Sequence, residues 1–284
     1  MYRRRLSQLF FAVFLNFPLL GQWKSLCVPI LNCHSCPWAA FACPVGVIGH
    51  LVSWSVFPFL ALGTILLLGA LFGRLLCGWV CPFGFLQDLL HKVPIRKIHL
   101  PRRLSLLKYV VLVVMVVVVP LLIGVESNAF FCSLCPAATI QAVVPWGLMG
   151  GKNLIEIVAG TWIRFVVLAI IVLLAMTSRR SFCRFLCPIG AFLALCNRFS
   201  VFSLRYAQND CPRCKRCLKD CPMDVQIEDF ERKGQTTVVT APSECILCLN
   251  CTKNCHKSSL RWTLWNLFPK VKDHASVKES ENHV

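Results

Sequence analysis

The chain has 284 residues, of which 56% are hydrophobic and only 15% are charged, and its mean hydropathy is +0.64. Such a composition excludes an ordinary soluble domain and favours an integral membrane protein. The formal net charge is +17, but the basic residues lie in short runs beside apolar segments and are not interleaved with aromatic residues, so they argue against nucleic-acid binding and for membrane topology signals.

Four apolar segments predict transmembrane helices. In chain order they are Leu6–Leu20, Leu51–Phe72, Leu104–Val125 and Ile157–Thr177. The first follows three arginines and imitates a secretory signal, but no small-residue cleavage site follows it, so an uncleaved helix is expected. Lys108, one turn inside the third segment, is expected to snorkel toward the membrane surface.

Lysine and arginine residues collect on one side of this four-helix arrangement. That side carries Arg3–Arg5, Arg74, the loop His91–Arg103, Arg179 and Arg180. The opposite side carries only Lys24, Lys152 and Arg164. The positive-inside rule therefore predicts a multi-pass protein of the bacterial cytoplasmic membrane, with the N-terminus and everything after residue 178 in the cytoplasm.

Two cysteine patterns each occur twice beside the apolar segments. The pattern C-x2-C-P occurs in the two outer loops with an offset of 99 residues, at Cys33, Cys36 and at Cys132, Cys135. The pattern C-x3-C-P-x-G occurs at the cytoplasmic helix ends with an offset of 106 residues, at Cys77, Cys81 and at Cys183, Cys187. Because the order of the two patterns repeats, two tandem helical hairpins related by duplication are predicted.

These repeated cysteines allow several roles. If the hairpins pack face to face, the four cytoplasmic cysteines converge, where they are able to hold a further metal centre, to form a redox-active disulfide or simply to pack. For the four outer cysteines a disulfide is the simpler hypothesis, and a metal site is the alternative. Cys27, Cys43 and Cys196 have no matched partner and are predicted to act as small apolar residues.

Two further runs, CPRCKRCLKDCP (211–222) and CILCLNCTKNC (245–255), have the spacing C-x2-C-x2-C-x3-C of bacterial ferredoxins. In that pattern the fourth cysteine binds the other cluster. The first [4Fe-4S] cluster is therefore assigned to Cys211, Cys214, Cys217 and Cys255, and the second to Cys245, Cys248, Cys251 and Cys221. Zinc is the less favoured alternative, because structural zinc sites use two separated C-x2-C pairs.

The remaining C-terminal sequence is typical of a small α+β module around the two clusters. The β-branched residues Thr236–Thr240 predict a strand between the runs. His256 follows the second run where Pro222 follows the first, and is predicted to lie at the surface and not to bind iron. We thus predict a four-helix transmembrane domain at 1–200, a di-cluster module at 201–262 and a polar, disordered tail at 263–284.

Four apolar spans, paired C-x3-C-P motifs and a C-terminal pair of ferredoxin runs together resemble the NapH/MauN type of membrane-bound ferredoxin, and the chain is also similar to the C-terminal half of NosR. The resemblance extends from the first span to about Leu260. It implies a mainly α membrane protein that carries two [4Fe-4S] clusters in a bacterial-type ferredoxin module.

The resemblance also implies a function. The chain is expected to relay electrons between the quinol pool and a respiratory redox partner, as a subunit of a quinol dehydrogenase in anaerobic respiration. Partners then include membrane lipid, quinol, and a NapG-like ferredoxin or a membrane cytochrome, and an electron-transfer subunit is favoured over a stand-alone enzyme. The alternatives are a maturation factor for a metalloenzyme and an iron-sulfur redox sensor.

Overall fold

A computed structural model describes residues 2–17, 26–98, 100–207, 211–212, 214–227, 236–239, 244–255, 257 and 259–264. Helices dominate up to about residue 200, and a small sheet with short helices follows. We call these two parts the helical domain and the C-terminal module. The prediction for His256 and the predicted tail beyond residue 264 lie outside the described residues.

The helical domain consists mostly of short helices. Its α-helices are Tyr2–Phe14, Pro44–Ser53, Phe59–Phe72, Leu75–Trp79, Pro82–Leu90, Leu107–Val113, Val119–Leu122, Phe131–Leu134, Pro136–Ala138, Val144–Met149, Leu154–Gly160, Trp162–Thr177, Ser181–Phe185 and Pro188–Cys196. A 3-10 helix covers Arg102–Leu106, and π-helical turns cover Val114–Val118 and Thr139–Val143.

One continuous helical stretch in the described residues, Arg103–Leu122, is long and apolar enough to cross a membrane. It coincides with the third predicted segment. The fourth segment is divided between Leu154–Gly160 and Trp162–Thr177, which meet at an angle of 96° and give a second candidate if they form one broken span. The break falls where Thr161 leaves the helical conformation, with φ −134° and ψ 36°.

The second predicted segment is two helices and not one. The helix Pro44–Ser53 ends before Ser55, whose φ of 57° is left-handed, and Pro58 directly precedes the helix Phe59–Phe72. A left-handed residue followed by a proline interrupts the helical hydrogen-bond ladder. In the first segment the helix Tyr2–Phe14 ends early, and residues 18–20 lie outside the described part.

Four helices begin at the proline of a cysteine-proline pair. In each case the cysteine has an extended backbone and proline takes the first helical position, where its missing N–H is not needed. The capping cysteines are Cys43, Cys81, Cys135 and Cys187. The C-x3-C-P motifs therefore each end one short helix and redirect the chain into the next.

The C-terminal module is built on an antiparallel sheet. Its strands are β1 (Phe202–Ala207), β2 (Thr236–Val238) and β3 (Leu260–Leu264), in the order β2-β1-β3. Strand β2 lies within the stretch predicted to be a strand, and β3 continues two residues past the predicted module boundary. Buried side chains of the sheet pack with Met223 and Ile246 to form the module's small core.

Candidate functional site

Two pockets of the C-terminal module are lined by cysteines. The first pocket has an empty volume of about 540 Å³, and its wall includes Cys211, Cys214, Cys217 and Cys255. The second pocket has an empty volume of about 340 Å³, and its wall includes Cys221, Cys245, Cys248 and Cys251. Each pocket takes three cysteines from one run and the fourth from the other, which is the sharing that ferredoxin spacing predicts.

The two cysteine runs adopt matching backbone conformations. Lys215 and Leu249, each directly after the second cysteine of its run, have left-handed φ angles of 56° and 57°. A one-turn helix then begins at the next residue, at Arg216–Lys219 and Asn250–Lys253, and contains the third cysteine. The left-handed residue turns the chain, so the third cysteine can face the same pocket as the first two.

The donor set of each pocket fits an iron-sulfur cube, which four thiolates hold. Within the described part of the chain, no three His, Cys, Asp or Glu side chains converge closely enough to hold one ion. In a cube each thiolate binds a different iron, so four cysteines spread over the wall of a pocket suit it.

Burial keeps two thiols of the second pocket protonated in the absence of metal. It raises the pKa of Cys221 to about 11 and that of Cys245 to about 12. A bound metal must therefore displace these protons, and its affinity should rise with pH.

The second pocket lies on the side of the module that contacts the helical domain. Side chains of the helical domain donate hydrogen bonds to backbone carbonyls of the second run: Trp79 Nε1 to Leu247 at 2.9 Å, Asn197 Nδ2 to Cys245 at 3.0 Å and Arg74 Nη1 to Glu244 at 3.0 Å. Gly78 is packed so tightly that an added Cβ would lie 2.4 Å from the carbonyl oxygen of Ile246. No solvent layer separates the two parts here.

A carboxylate of the module also bonds two buried cations of the helical domain. Glu244, directly before Cys245, pairs with both Arg74 and Lys108, whose side chains are fully buried. Burial alone would raise the pKa of Glu244, but the two cations lower it below its usual range. The predicted snorkelling of Lys108 is therefore wrong, because its ammonium group lies inside the protein and meets Glu244.

The cysteines of the two C-x3-C-P motifs lie together beneath this contact. We call Cys77, Cys81, Cys183 and Cys187 the inner quartet. Cys77 is half-buried and packs against the core of the module, and the other three are buried. Cys183 and Cys187 each interact electrostatically with both cysteines of the first motif. The structure thus brings the quartet together, as the duplicated hairpins predict.

Two buried arginines cross between the motifs. Arg180, three residues before Cys183, donates from Nη1 to the carbonyl oxygen of Cys77 at 3.0 Å. Arg74, three residues before Cys77, reaches the carbonyl oxygen of Cys183 from Nη2 at 3.4 Å. Each repeat therefore holds the first cysteine of the other repeat.

Arg180 is paired with a carboxylate of the first repeat. Its Nε and Nη2 atoms bond the two carboxylate oxygens of Asp88 at 2.9 and 2.7 Å, and Arg4 also pairs with Asp88. Asp88 and Glu244 thus each neutralise part of the charge of two buried cations.

The outer cysteines form a second group. Cys33, Cys132 and Cys135 interact electrostatically with one another and with Cys43. Cys43 was expected to have no partner, but it lies near the other outer cysteines. Cys36 lies beside Cys33. Gln141 links the two outer loops by accepting a hydrogen bond from the Cys33 amide at 2.8 Å. Whether this group forms a disulfide or a metal site stays a prediction.

Sequence reasoning missed the residues that arrange these cysteines. Arg74 and Arg180 stand at the same place in the pattern R-x2-C-x3-C-P-x-G, and Cys43 begins a further C-P-x-G. Both signals are visible in the sequence. The pairing with Glu244 has no local signal, because it joins residues 170 positions apart.

A family model described as a 4Fe-4S binding domain matches residues 54–101, 108–153 and 159–206, which make up half of the chain. The matched segments contain the inner quartet, and they end before the first ferredoxin run. An uncharacterized protein of Methanocaldococcus jannaschii is 31% identical over 77% of this chain and 81% of its own length. This chain belongs to the NapH/MauN family of ferredoxin-type iron-sulfur proteins.

Two named relatives agree with this assignment. The methylamine utilization ferredoxin-type protein MauN of Methylobacillus flagellatus is 26% identical over 78% of this chain and 77% of MauN. The regulatory protein NosR of Pseudomonas aeruginosa is 30% identical over 66% of this chain, but the match spans only 24% of NosR. No solved structure shows a significant match. The resemblance seen in the sequence is confirmed, and this member of the NapH/MauN family is an iron-sulfur protein of an electron-transfer family.

Proposed function

We propose that this protein is a membrane-anchored relay that carries electrons between the quinol pool and a respiratory redox partner, as a NapH-like component of a quinol dehydrogenase. The observation that carries the proposal is the pair of four-cysteine pockets, of which the second is beside residues that contact the helical domain. This arrangement suits transfer of electrons through the module.

The helical domain is the membrane anchor in this proposal. Its four apolar segments form two hairpins in the bacterial cytoplasmic membrane, with the module on the cytoplasmic side. Support comes from large apolar side chains that the helices expose, among them Leu66, Leu67, Val110 and Val113. A soluble protein rarely exposes so much apolar surface in one region, whereas lipid covers it in a membrane.

Each module pocket holds one [4Fe-4S] cluster through the four cysteines named above. Bound clusters of this type accept and release single electrons. The protein's own residues set the environment: buried Leu204 of β1 lines the second pocket and excludes water, and the Val225 amide donates to Cys221 Sγ at 3.4 Å. A protein adjusts the reduction potential of a cluster through such N–H bonds to sulfur and through burial.

The first pocket is the proposed exit toward the partner. Cys214 is exposed, and the basic residues Lys215 and Arg216 line the same pocket. A basic rim around an exposed ligand favours an acidic partner surface, because complementary charge speeds encounter. A NapG-like ferredoxin or a membrane cytochrome is the partner class that we propose.

A cleft beside the second pocket is the proposed place for the quinol headgroup. It has an empty volume of about 810 Å³, and its wall includes His91, Arg179 and the cluster ligand Cys221. Burial, Lys97 and Arg179 lower the pKa of His91, which is therefore mostly neutral at pH 7 and able to accept a proton. Quinol oxidation releases protons together with electrons, so a neutral base close to a cluster ligand suits it.

An anaerobic reduction experiment tests this proposal. The purified full chain with its iron should reduce its clusters when a quinol analogue is added, as followed by EPR. His91→Gln should slow this reduction at least about tenfold, because a general base usually accelerates a reaction by more than that. Reduction by dithionite should stay normal. His50→Gln is the matched control, since His50 packs edge to face against His34 and does not line the cleft.

Other results would refute parts of the proposal. An iron-loaded wild-type chain that quinol cannot reduce would be a relay that needs a donor subunit, and the cleft assignment would be wrong. A deletion strain in which a metalloenzyme lacks its cofactor, but in which electron supply is normal, would instead indicate a maturation factor. Partner binding that changes with cluster state in the absence of turnover would indicate a sensor.

A further inference from the structure

The inner quartet remains unused by the relay described above, although it lies at the contact between the helical domain and the second pocket. We propose that the inner quartet binds a third [4Fe-4S] cluster. Its place in an electron path rests on the proposed function, but the binding itself does not. The ligands are the two cysteines of each C-x3-C-P motif, namely Cys77, Cys81, Cys183 and Cys187.

The first argument is that donors are directed at the sulfur atoms. Gln87, which is almost fully buried, donates from Nε2 to Cys183 Sγ at 3.0 Å, and the Gly190 amide donates to Cys187 Sγ at 3.4 Å. Cys81 and Cys187 each precede the first turn of a helix, whose N-terminal dipole favours negative charge. These features stabilise sulfur atoms that carry negative charge, as cluster thiolates do and a disulfide does not.

The second argument is the balance of buried charge. Among the described residues, four buried cations, Arg4, Arg74, Lys108 and Arg180, are paired with only two carboxylates, those of Asp88 and Glu244. This group of six side chains therefore carries a surplus of two positive charges. A [4Fe-4S]2+ cube with four thiolates carries two negative charges and would balance it. Moreover, the buried Nε of Arg74 has no hydrogen-bond partner among the described residues.

The third argument is that the wall of the quartet includes aromatic rings and is closely fitted. Phe83 and Phe182, which each stand beside a cysteine motif, pack edge to face with ring centroids 5.1 Å apart. At Gly84 and Gly190 an added Cβ would approach the carbonyl oxygens of Cys77 and Cys183 to 3.2 Å. Small residues thus let the two helices come close to the cysteines, and aromatic rings exclude water.

The fourth argument is position. The fully buried Arg180 interacts electrostatically with Cys183 of the quartet and with Cys248 of the second pocket. Arg74 likewise interacts with Cys77, Cys183 and Cys245. One pair of guanidinium groups therefore lies near both sets of sulfur atoms. A cluster at the quartet would be the nearest neighbour, on the side of the helices, of the cluster in the second pocket.

Iron and sulfide analysis of the anaerobically purified full chain provides the first test. Three cubes predict about twelve iron atoms per chain. The variant Cys81→Ser/Cys187→Ser should lose a third of the iron and sulfide and keep the EPR signal of the two module clusters. Cys196→Ser is the matched control, because Cys196 is buried in the same helix as Gly190 but lies outside the quartet, and it should keep all the iron.

A second variant avoids the loss of any ligand and so guards against misfolding. Gln87→Glu can still accept the hydrogen bond that the Phe182 amide gives to Gln87 at 3.1 Å, but it can no longer donate to Cys183 Sγ. With full iron content, one midpoint potential should fall and the other two should stay unchanged. The physical reason is that an N–H bond to a cluster sulfur stabilises the reduced state.

The outcomes separate this inference from the proposed function. A wild-type chain with about eight iron atoms, or a Gln87→Glu protein in which every potential is unchanged, overturns the third cluster and leaves the relay intact. Iron that stays bound after both pockets of the module have been emptied by substitution of their cysteines, and that is lost when the quartet is also changed, supports the third cluster even if quinol never reduces the protein.

Discussion

The two R-x2-C-x3-C-P-x-G repeats are alike in backbone but differ in where their arginines find a carboxylate. In the first repeat the helix after the motif carries Asp88, which pairs with Arg180 of the second repeat. The equivalent position in the second repeat is Ala194, so Arg74 finds no acid there. Glu244 of the C-terminal module supplies it instead. The arginine of each repeat is therefore paired with a carboxylate, but one of the two carboxylates comes from the module.

The comparison also shows why the two contacts should differ in strength. Asp88 is held within the helical domain and its side chain is 14% exposed, whereas Glu244 comes from the module and its side chain is 25% exposed. Loss of the first acid should damage the fold of the helical domain. Loss of the second should mainly loosen the module, because Glu244 itself joins the two parts, while the ion pair of Arg184 with Asp224 and the stacking of Phe72 on Phe202 remain.

The largest effect is expected for Asp88→Asn. It leaves the buried guanidinium groups of Arg180 and Arg4 without a counter-charge, and breaking a buried pair from one side costs about 3–5 kcal/mol. Thermal or denaturant unfolding in detergent measures this loss. If Glu244→Gln costs more stability than Asp88→Asn, then the ranking drawn from the two repeats is wrong.

Glu244→Gln should cost less, about 1–3 kcal/mol, since the acid is partly solvated. Residues 244–251 include the part of the module that contacts the helical domain, and we call them the docking surface. Hydrogen–deuterium exchange should rise there and stay unchanged in the helix Pro82–Leu90. Adding Ala194→Asp to this variant restores the missing acid within the helical domain. The double variant should recover unfolding stability but not the protection of 244–251, and recovery of both would contradict a docking role for Glu244.

Two separate glycine-to-alanine substitutions test how closely the docking surface is packed. Gly78→Ala places a methyl group against the carbonyl oxygen of Ile246 and should weaken docking by about 1–2 kcal/mol, seen as faster exchange at 244–251. Gly63→Ala is the matched control, because an added Cβ there meets nothing within 4 Å. That control should leave exchange in the module unchanged, and it should stabilise its helix slightly.

The smallest effect is a pH dependence that Asp88 contributes. Burial would raise the pKa of Asp88, but Arg180, Arg4 and Arg5 lower it below its usual range. The Asp88 carboxylate therefore binds a proton more readily in the unfolded chain than in the folded protein. Its contribution to the free energy of unfolding is fully present above the unfolded pKa of about 3.9 and is lost as the pH falls through the folded pKa. Between pH 7 and pH 4 the loss is only about 0.3 kcal/mol.

Comparison with Asp88→Asn isolates this contribution, because the other carboxylates titrate in both proteins. The wild-type curve of unfolding free energy against pH should drop more steeply below pH 4 than the curve of the variant. Parallel curves would mean that Asp88 is not ionised in a buried pair.

Local features of this protein were predictable from its sequence. The ferredoxin spacing fixes which cysteines can share a pocket, because only a few residues separate the ligands of each run. The proline after each C-x3-C motif marks a new helix, as observed at Pro82 and Pro188. Apolar length likewise predicted the long continuous helical stretch Arg103–Leu122, since one continuous pattern decides it.

Features that depend on distant contacts were not predictable. The break before Phe59 needs both Pro58, which is visible, and a left-handed Ser55, which is not. The crossing of Arg74 and Arg180 depends on how the two hairpins face each other. Cys43 joined the outer cysteines only because its helix packs beside the other outer loop, while apolar pattern alone indicated an ordinary core residue.

Four of the hydrogen bonds between the helical domain and the module are accepted by carbonyl oxygens, those of Glu244, Cys245, Leu247 and Lys219. Every amino acid offers the same carbonyl, so residues between the cysteines can be exchanged during evolution without erasing the docking surface. A helical domain of this kind can accept modules of different sequence, provided that they keep the same loop shape and the acid before the first cysteine of the second run.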